Sequence, residues 1–304
     1  MRTIALTLLT ILTLASCQKQ GANASLSERP KEDDSLAWKV TVLPVEDCLP
    51  IYYARETGIF DSLDVDVRLL EYASMLDADT ALYLGHAQAG YTSLPRIIVY
   101  EREQKAKLHD ILPCPGRYWL VTAPRTPHDS IAKMGERMVA LSRYTQADYW
   151  SDMLMDEAKM RRDSIFRPQV NDLWLRTDMG CDSLLDAAML PNPMAAIARR
   201  KGCKVLAECV DTLHFFNCIA THKWAPTDTL RLMQQERFLQ ALRVAAKKLN
   251  ARPASAQGVI KKHFVRKNEA PASFTLPLFP FQADSLDVSR RKANEWFDSR
   301  QLKP

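Results

Sequence analysis

Glycine is scarce in this chain, nine residues in 304, and the glycines nowhere gather into a loop whose backbone N–H groups would cradle a phosphate. The G-x-S-x-G and H-E-x-x-H patterns are both missing, which removes the usual local signatures of a serine nucleophile and a zinc peptidase. The six histidines, His86, His109, His128, His214, His222 and His263, stand singly, with no nucleophile and base placed together. The seven cysteines include no C-x-x-C and no Cys/His cluster, which argues against a structural zinc. No cofactor is implied. The formal charge is only +5, and basic residues are scattered among acidic ones rather than gathered on a stripe, so nucleic acid is not an expected partner. Beyond the first residues, no apolar run is long enough to span a bilayer.

Residues 1–17 do carry an export pattern. Arg2 supplies a positive start, Ile4 to Leu14 is a short apolar run, and Leu14-Ala15-Ser16-Cys17 places small residues before a cleavage point. Residues 18–37, with the polar run QKQGANASLSERPKEDDSL, hold too little apolar surface to offset their ordering entropy and read as a tether. Cys48, Cys114, Cys181, Cys203, Cys209 and Cys218 remain; six cysteines in an exported chain allow about fifteen pairings, and small buried hydrophobes are an equally good reading.

The stretch from Trp38 to Arg96 organises the rest. A strand at Val40–Leu43, a turn at Pro44–Pro50, and a short amphipathic helix ending at Gly58 are followed by a strand at Val65–Leu70. A loop at Tyr72–Met75, a helix and a short strand at Gln88–Gly90 complete it. Successive βα units with loops at strand carboxyl ends form the half-domain of an α/β fold with a ligand crevice. Further on, a helix over Pro95–Lys107, strands at Leu108–Pro115 and Tyr118–Thr122, a short helix at Ser130–Met134, and a buried strand at Arg137–Leu141 are expected. A long helix capped by Thr145 follows, then a strand over Gln169–Leu175 and a helix over Asp182–Met189. Helical spacing is clearest over Thr229–Asn250, and a last helix is expected over Asp287–Phe297.

Tyr53-Ala54-x-x-x-Gly58-Ile59-Phe60, Ser74 after the second strand, and Ala81-Leu82-x-x-Gly85 resemble, in that order, the periplasmic solute-binding proteins of the nitrate, sulfonate, taurine and thiamine-precursor group. Asp186-Ala187, Asn192-Pro193, a helix over Met194–Arg200 and Gly202-Cys203-Lys204-Val205-Leu206 extend the resemblance into the second half. It implies an α/β, two-lobed type II periplasmic-binding-protein fold, with residues 38–118 plus 212–304 as lobe one and 119–211 as lobe two. Each lobe would be a mixed sheet flanked by helices. The resemblance also implies that residues 1–17 are a lipoprotein signal peptide, that Cys17 is lipidated and tethers the chain to a membrane of the cell envelope, and that an ABC permease and ATPase are partners.

For such a binder, loops at strand ends and helix N-termini must face one cleft. The candidates are Glu46, Asp47 and Cys48, Tyr72 and Ser74, Tyr91 and Thr92, Ser142, Arg143, Tyr144 and Thr145, and Asn192. Hydroxyls of Ser74, Ser142 and Thr145 would bond a ligand and Arg143 would hold a carboxylate or sulfonate; capping and surface roles are the alternatives. Tyr52, Tyr72, Tyr91 and Tyr144 would make an aromatic box. Two carboxylates at the cleft, Glu46 and Asp47, would repel a small inorganic anion and favour an organic solute with an amine or a ring. Two further readings stay open: an enzyme on the same fold using Asp47 or Cys48, and a surface lipoprotein that binds a protein partner.

Overall fold

The computed structural model describes residues 36–103, 107–126, 130–210, 214, 216–267, 269–270, 273–280 and 286–301. The expected signal peptide with Cys17, and the tether up to residue 35, lie outside the described residues.

Trp38–Val42 forms β1, and a single 3-10 turn at Glu46–Cys48 leads into α1, Leu49–Glu56, with Pro50 in its first turn where a missing N–H costs nothing. Gly58, in the left-handed conformation at φ 69°, turns the chain into α2, Ile59–Ser62. Then come β2 (Val67–Glu71), α3 (Met75–Tyr83), β3 (Ala89–Ser93), α4 (Leu94–Arg102) and β4 (Leu108–Cys114). The chain crosses at Pro115–Arg117 to β5 (Tyr118–Thr122), β6 (Val139–Ala140), α5 (Gln146–Glu157), α6 (Leu173–Cys181), β7 (Ala187–Leu190), α7 (Met194–Arg200) and β8 (Lys204–Cys209). It returns through β9 (Asn217–His222) and closes with α8 (Thr229–Ala251), α9 (Gln257–His263) and α10 (Leu286–Gln301).

Two mixed sheets result. The first has the order β2-β1-β3-β9-β4, with β1 parallel to β2 and β3, and β9 antiparallel to both its neighbours; the second runs β6-β7-β5-β8, with β5 antiparallel to β7 and β8. The expected α/β fold with two sheet-and-helix lobes is what the chain adopts. In the first sheet's core, α8 packs on α1 and α2, and Phe238 stacks on Phe60 with ring centroids 5.8 Å apart while meeting Trp38 at 6.0 Å. The last helix, α10, lies on α4 and reaches α5, where Trp296 Nε1 donates to Asp152 at 2.9 Å and Arg300 to Asp148 at 2.5 Å.

Two expectations fail between residues 169 and 189. The strand expected at Gln169–Leu175 shrinks to two isolated bridges, Leu141 with Gln169 and Ser74 with Asp172, because the Asp172 carboxylate accepts from the Leu175 N–H and starts α6. The helix expected at Asp182–Met189 is a turn followed by β7, a short apolar run buried between β6 and β5. Four apolar residues in a row satisfy either periodicity, so neighbours decide.

Candidate functional site

The carboxyl end of β1 and the turn after it meet the loop after β7 from the second sheet. The Glu46 N–H donates to Asn192 O at 3.0 Å, and Asn192 Nδ2 returns a bond to Glu46 Oε2 at 3.1 Å. Beside them Leu173 N–H donates to Ala73 O at 2.9 Å, Ser74 bridges Asp172, and Gln146 N–H donates to Ser93 Oγ at 3.2 Å. The two lobes are therefore closed on each other, and the cavity left between them measures about 10 Å³, room for roughly one water molecule.

Tyr91, Ser142 and Thr145 are the sequence candidates that line this cavity, together with Leu43, Met75, Tyr118 and Arg176. Thr145 does not cap α5 with its hydroxyl, which instead donates to Ser142 O at 2.7 Å. Thr92, one residue beyond Tyr91, falls on the other face of β3 and is fully buried.

Glu46 and Asp47 do not present free carboxylates to a solute. Arg117 grips Glu46 through Nε at 2.8 Å and Nη2 at 2.7 Å. Asp47 receives the Tyr91 hydroxyl at 2.8 Å, the Gly116 N–H at 3.0 Å and Asn217 Nδ2 at 3.1 Å. Burial outweighs these donors, pushing Glu46 up to about 7 and raising Asp47. The cleft-mouth repulsion expected of this pair is corrected accordingly: both groups are consumed inside the protein. Cys48 is likewise turned inward: burial pushes its thiol well up, which disfavours the thiolate, and its sulfur accepts from the Leu43 N–H at 3.4 Å.

The remaining candidates disperse. Ser74 Oγ accepts from Asp77 N–H at 3.3 Å as the N-cap of α3, and Tyr72 packs half-buried on the core of the first sheet. Arg143 turns away to Asp148 at 3.7 Å. Tyr144 is exposed and packs on Phe297, and Tyr52 is buried against His263 and Phe264. No aromatic box forms from these rings.

Arg176 was not among the candidates, and it is the most unusual group in the site. Leu173, Arg176, Thr177 and Gly180 are the buried stripe of α6, and Arg176 is 1% exposed. Its guanidinium donates from Nε to Val170 O at 2.7 Å, from Nη1 to Met189 O at 3.0 Å and from Nη2 to Ser142 Oγ at 2.5 Å. It forms no carboxylate pair among the described residues. Burial lowers its pKa to about 10, with Tyr118 and Asp172 opposing only through space, so it stays a cation at neutral pH. A buried charge is ordinarily paired; this one is solvated by two carbonyls and a hydroxyl. Once a helix is started at Asp172, an arginine falling on its apolar face is the sequence feature that marks it.

Gly116 sits at the crossing between the sheets with φ 62°, and a Cβ there would lie 2.0 Å from Gln146 Oε1. That oxygen is held by the Asn217 N–H at 3.1 Å and is not free to move aside. Gly116→Ala is expected to lower the unfolding free energy by about 2 kcal/mol or more, measured by urea denaturation.

No protein-family model matches the sequence, and no curated protein sequence matches it. Solved structures do match in fold. The alkanesulfonate-binding protein SsuA from Xanthomonas axonopodis pv. citri, bound to MOPS, superposes with a TM-score of 0.68 at 12% identity, over 88% of this chain and 95% of that one. The periplasmic aliphatic sulphonate binding protein SsuA from Escherichia coli gives 0.66 at 13% identity, over 88% and 94%. The periplasmic nitrate-binding protein NrtA from Synechocystis PCC 6803 gives 0.67 at 11% identity, over 88% and 81%. The chain thus has the two-lobed fold of periplasmic solute-binding proteins.

Proposed function

We propose that this chain is the solute-binding component of an ABC importer, with residues 38–118 plus 212–304 and residues 119–211 as the lobes that close on a small organic solute bearing an anionic group. The observation that carries the reading is Arg176: a cation with no carboxylate partner among the described residues, at the wall of an interlobe cavity, beside the Ser142 hydroxyl. A carboxylate or sulfonate meeting a guanidinium gains charge-assisted bonds that are stronger where water is excluded. With Glu46 and Asp47 already satisfied, neither carboxylate is left to attract an amine or a cationic ring, and an organic acid or sulfonate is the better substrate class. The protein does no covalent chemistry in this reading. A permease and an ATPase are its partners.

A panel of short-chain carboxylates, alkanesulfonates, phosphonates, amines and neutral heterocycles, followed by thermal unfolding, tests this. A ligand at about 100 times its Kd adds roughly 2.7 kcal/mol, a rise of about 5 °C or more for a chain of this size. Stabilisation confined to the anions is expected. Stabilisation by amines or heterocycles alone overturns the substrate class, and stabilisation by nothing in the panel counts against the solute-binding role.

The lipid anchor on Cys17 belongs to the same proposal, with a lipoprotein signal peptide over residues 1–17 and an acyl chain such as palmitate holding the protein at the envelope membrane. Cys17→Ser is expected to move the protein from the membrane to the soluble fraction of a bacterial expression host, as followed by immunoblot; retention of the variant with the membrane would remove the anchor from the account.

A further inference from the structure

Cys181 is the last residue of α6, and Cys203 follows Gly202 in the turn between α7 and β8. Their sulfurs lie 3.6 Å apart. Among the described cysteines the others, Cys48, Cys114, Cys209 and Cys218, are buried, and none has a second sulfur as a hydrogen-bond partner.

We propose that Cys181 and Cys203 are a disulfide site, oxidised in the envelope compartment that the function above assigns to the chain. A disulfide needs sulfurs at about 2.05 Å, and this pair closes the gap by rotating two side chains that already meet. The surroundings favour the reaction. Cys203 has its thiol pKa lowered, by the hydrogen bond it shares with Cys181 and by the Lys201 ammonium nearby, which favours the reactive thiolate form, and Cys181 is only partly buried, which gives an oxidant access.

The exchange balances with a disulfide oxidant such as oxidised glutathione. One thiolate of the pair attacks a glutathione sulfur, breaking its S–S bond and releasing one glutathione thiolate. The second cysteine, losing its proton, then attacks the protein sulfur of the mixed disulfide and releases the other. The pair loses two electrons and two protons in all, and the oxidant becomes two thiols. The bond ties the carboxyl end of α6, the helix that carries Arg176, to the start of β8 on the far side of α7. It constrains the unfolded chain over 22 residues of sequence separation.

Trypsin separates the two cysteines, cutting after Arg176 and Arg199 on one side and after Lys201 and Lys204 on the other. The purified protein, equilibrated with oxidised glutathione, alkylated and digested without reductant, is expected to give Thr177–Arg199 joined to Gly202–Lys204, and the joined species should vanish with dithiothreitol. Oxidation should raise the melting temperature by roughly 5 °C, and Cys181→Ser and Cys203→Ser should each abolish both the joined peptide and the rise. Full alkylation of both cysteines after oxidation, or a bond from either one to a different cysteine, overturns the proposal. Because the oxidant is supplied in vitro and no solute is present, a failure of the transport reading leaves this result unchanged.

Discussion

Arg176→Met is expected to abolish stabilisation by anionic solutes while leaving the chain folded. Methionine fills most of the same volume without a charge. It leaves the Val170 and Met189 carbonyls and the Ser142 hydroxyl without their donor, at about 1 to 3 kcal/mol per buried group, offset in part because the desolvation cost of a buried charge disappears. The unliganded melting temperature should therefore fall by several degrees while the chain stays folded. Binding is different: removing one member of a buried, hydrogen-bonded charge pair costs 2 to 5 kcal/mol or about that, at least a thirtyfold loss of affinity by calorimetry. Arg176→Lys keeps the charge but loses the planar fork, and should fall between the two. If the methionine variant binds an anion as tightly as wild type, the guanidinium has no part in recognition.

Glu46→Ala is expected to produce the largest loss of stability of any single change at the cleft. It leaves Arg117, held at 2.7 Å in the native protein, and Asn192 without their shared acceptor. Breaking a buried pair from one side typically costs 3 to 5 kcal/mol or about that; Arg117 keeps 14% of its side-chain surface exposed, so about 3 kcal/mol is the expected value by urea denaturation. Glu46→Gln behaves differently and reports on pH. The native carboxyl is raised from 4.5 to about 7, chiefly by burial. The folded chain therefore binds a proton more tightly than the unfolded chain, and the contribution is full below pH 4.5 and lost as pH rises to about 7. Relative to Glu46→Gln, wild type should lose on the order of 3 kcal/mol across that window. A flat difference would mean that Arg117 holds the carboxylate ionised throughout.

The first half of the chain was legible because its elements are locally specified. Pro50 and Gly58 bracket α1, Ser74 caps α3, and the apolar run of β1 is unambiguous. The site was less legible, for a physical reason: its decisive contacts are far apart in sequence. Glu46 meets Arg117 across 71 residues and Asn192 across 146, and Asp47 meets Asn217 across 170. Two adjacent acids read in isolation look like a negative patch; with those partners they become internal struts. The choice between arginines shows the same thing. Arg143 sits in a strand-end loop, where ligand groups are usually sought, yet it faces Asp148. Arg176 stands just past the segment read as strand, Gln169–Leu175, and only the Asp172 cap puts it on a buried helical face.

The central claim is that the lobes open and then close on a solute, and the closed cavity of about 10 Å³ makes opening obligatory for entry. Small-angle scattering of the wild-type chain, alone and with a saturating carboxylate or alkanesulfonate that raises its melting temperature, tests this most directly. The account predicts an expanded profile without ligand and a contraction, on binding, to the profile of the closed structure. Identical profiles in the two conditions, both matching the closed form, would contradict it.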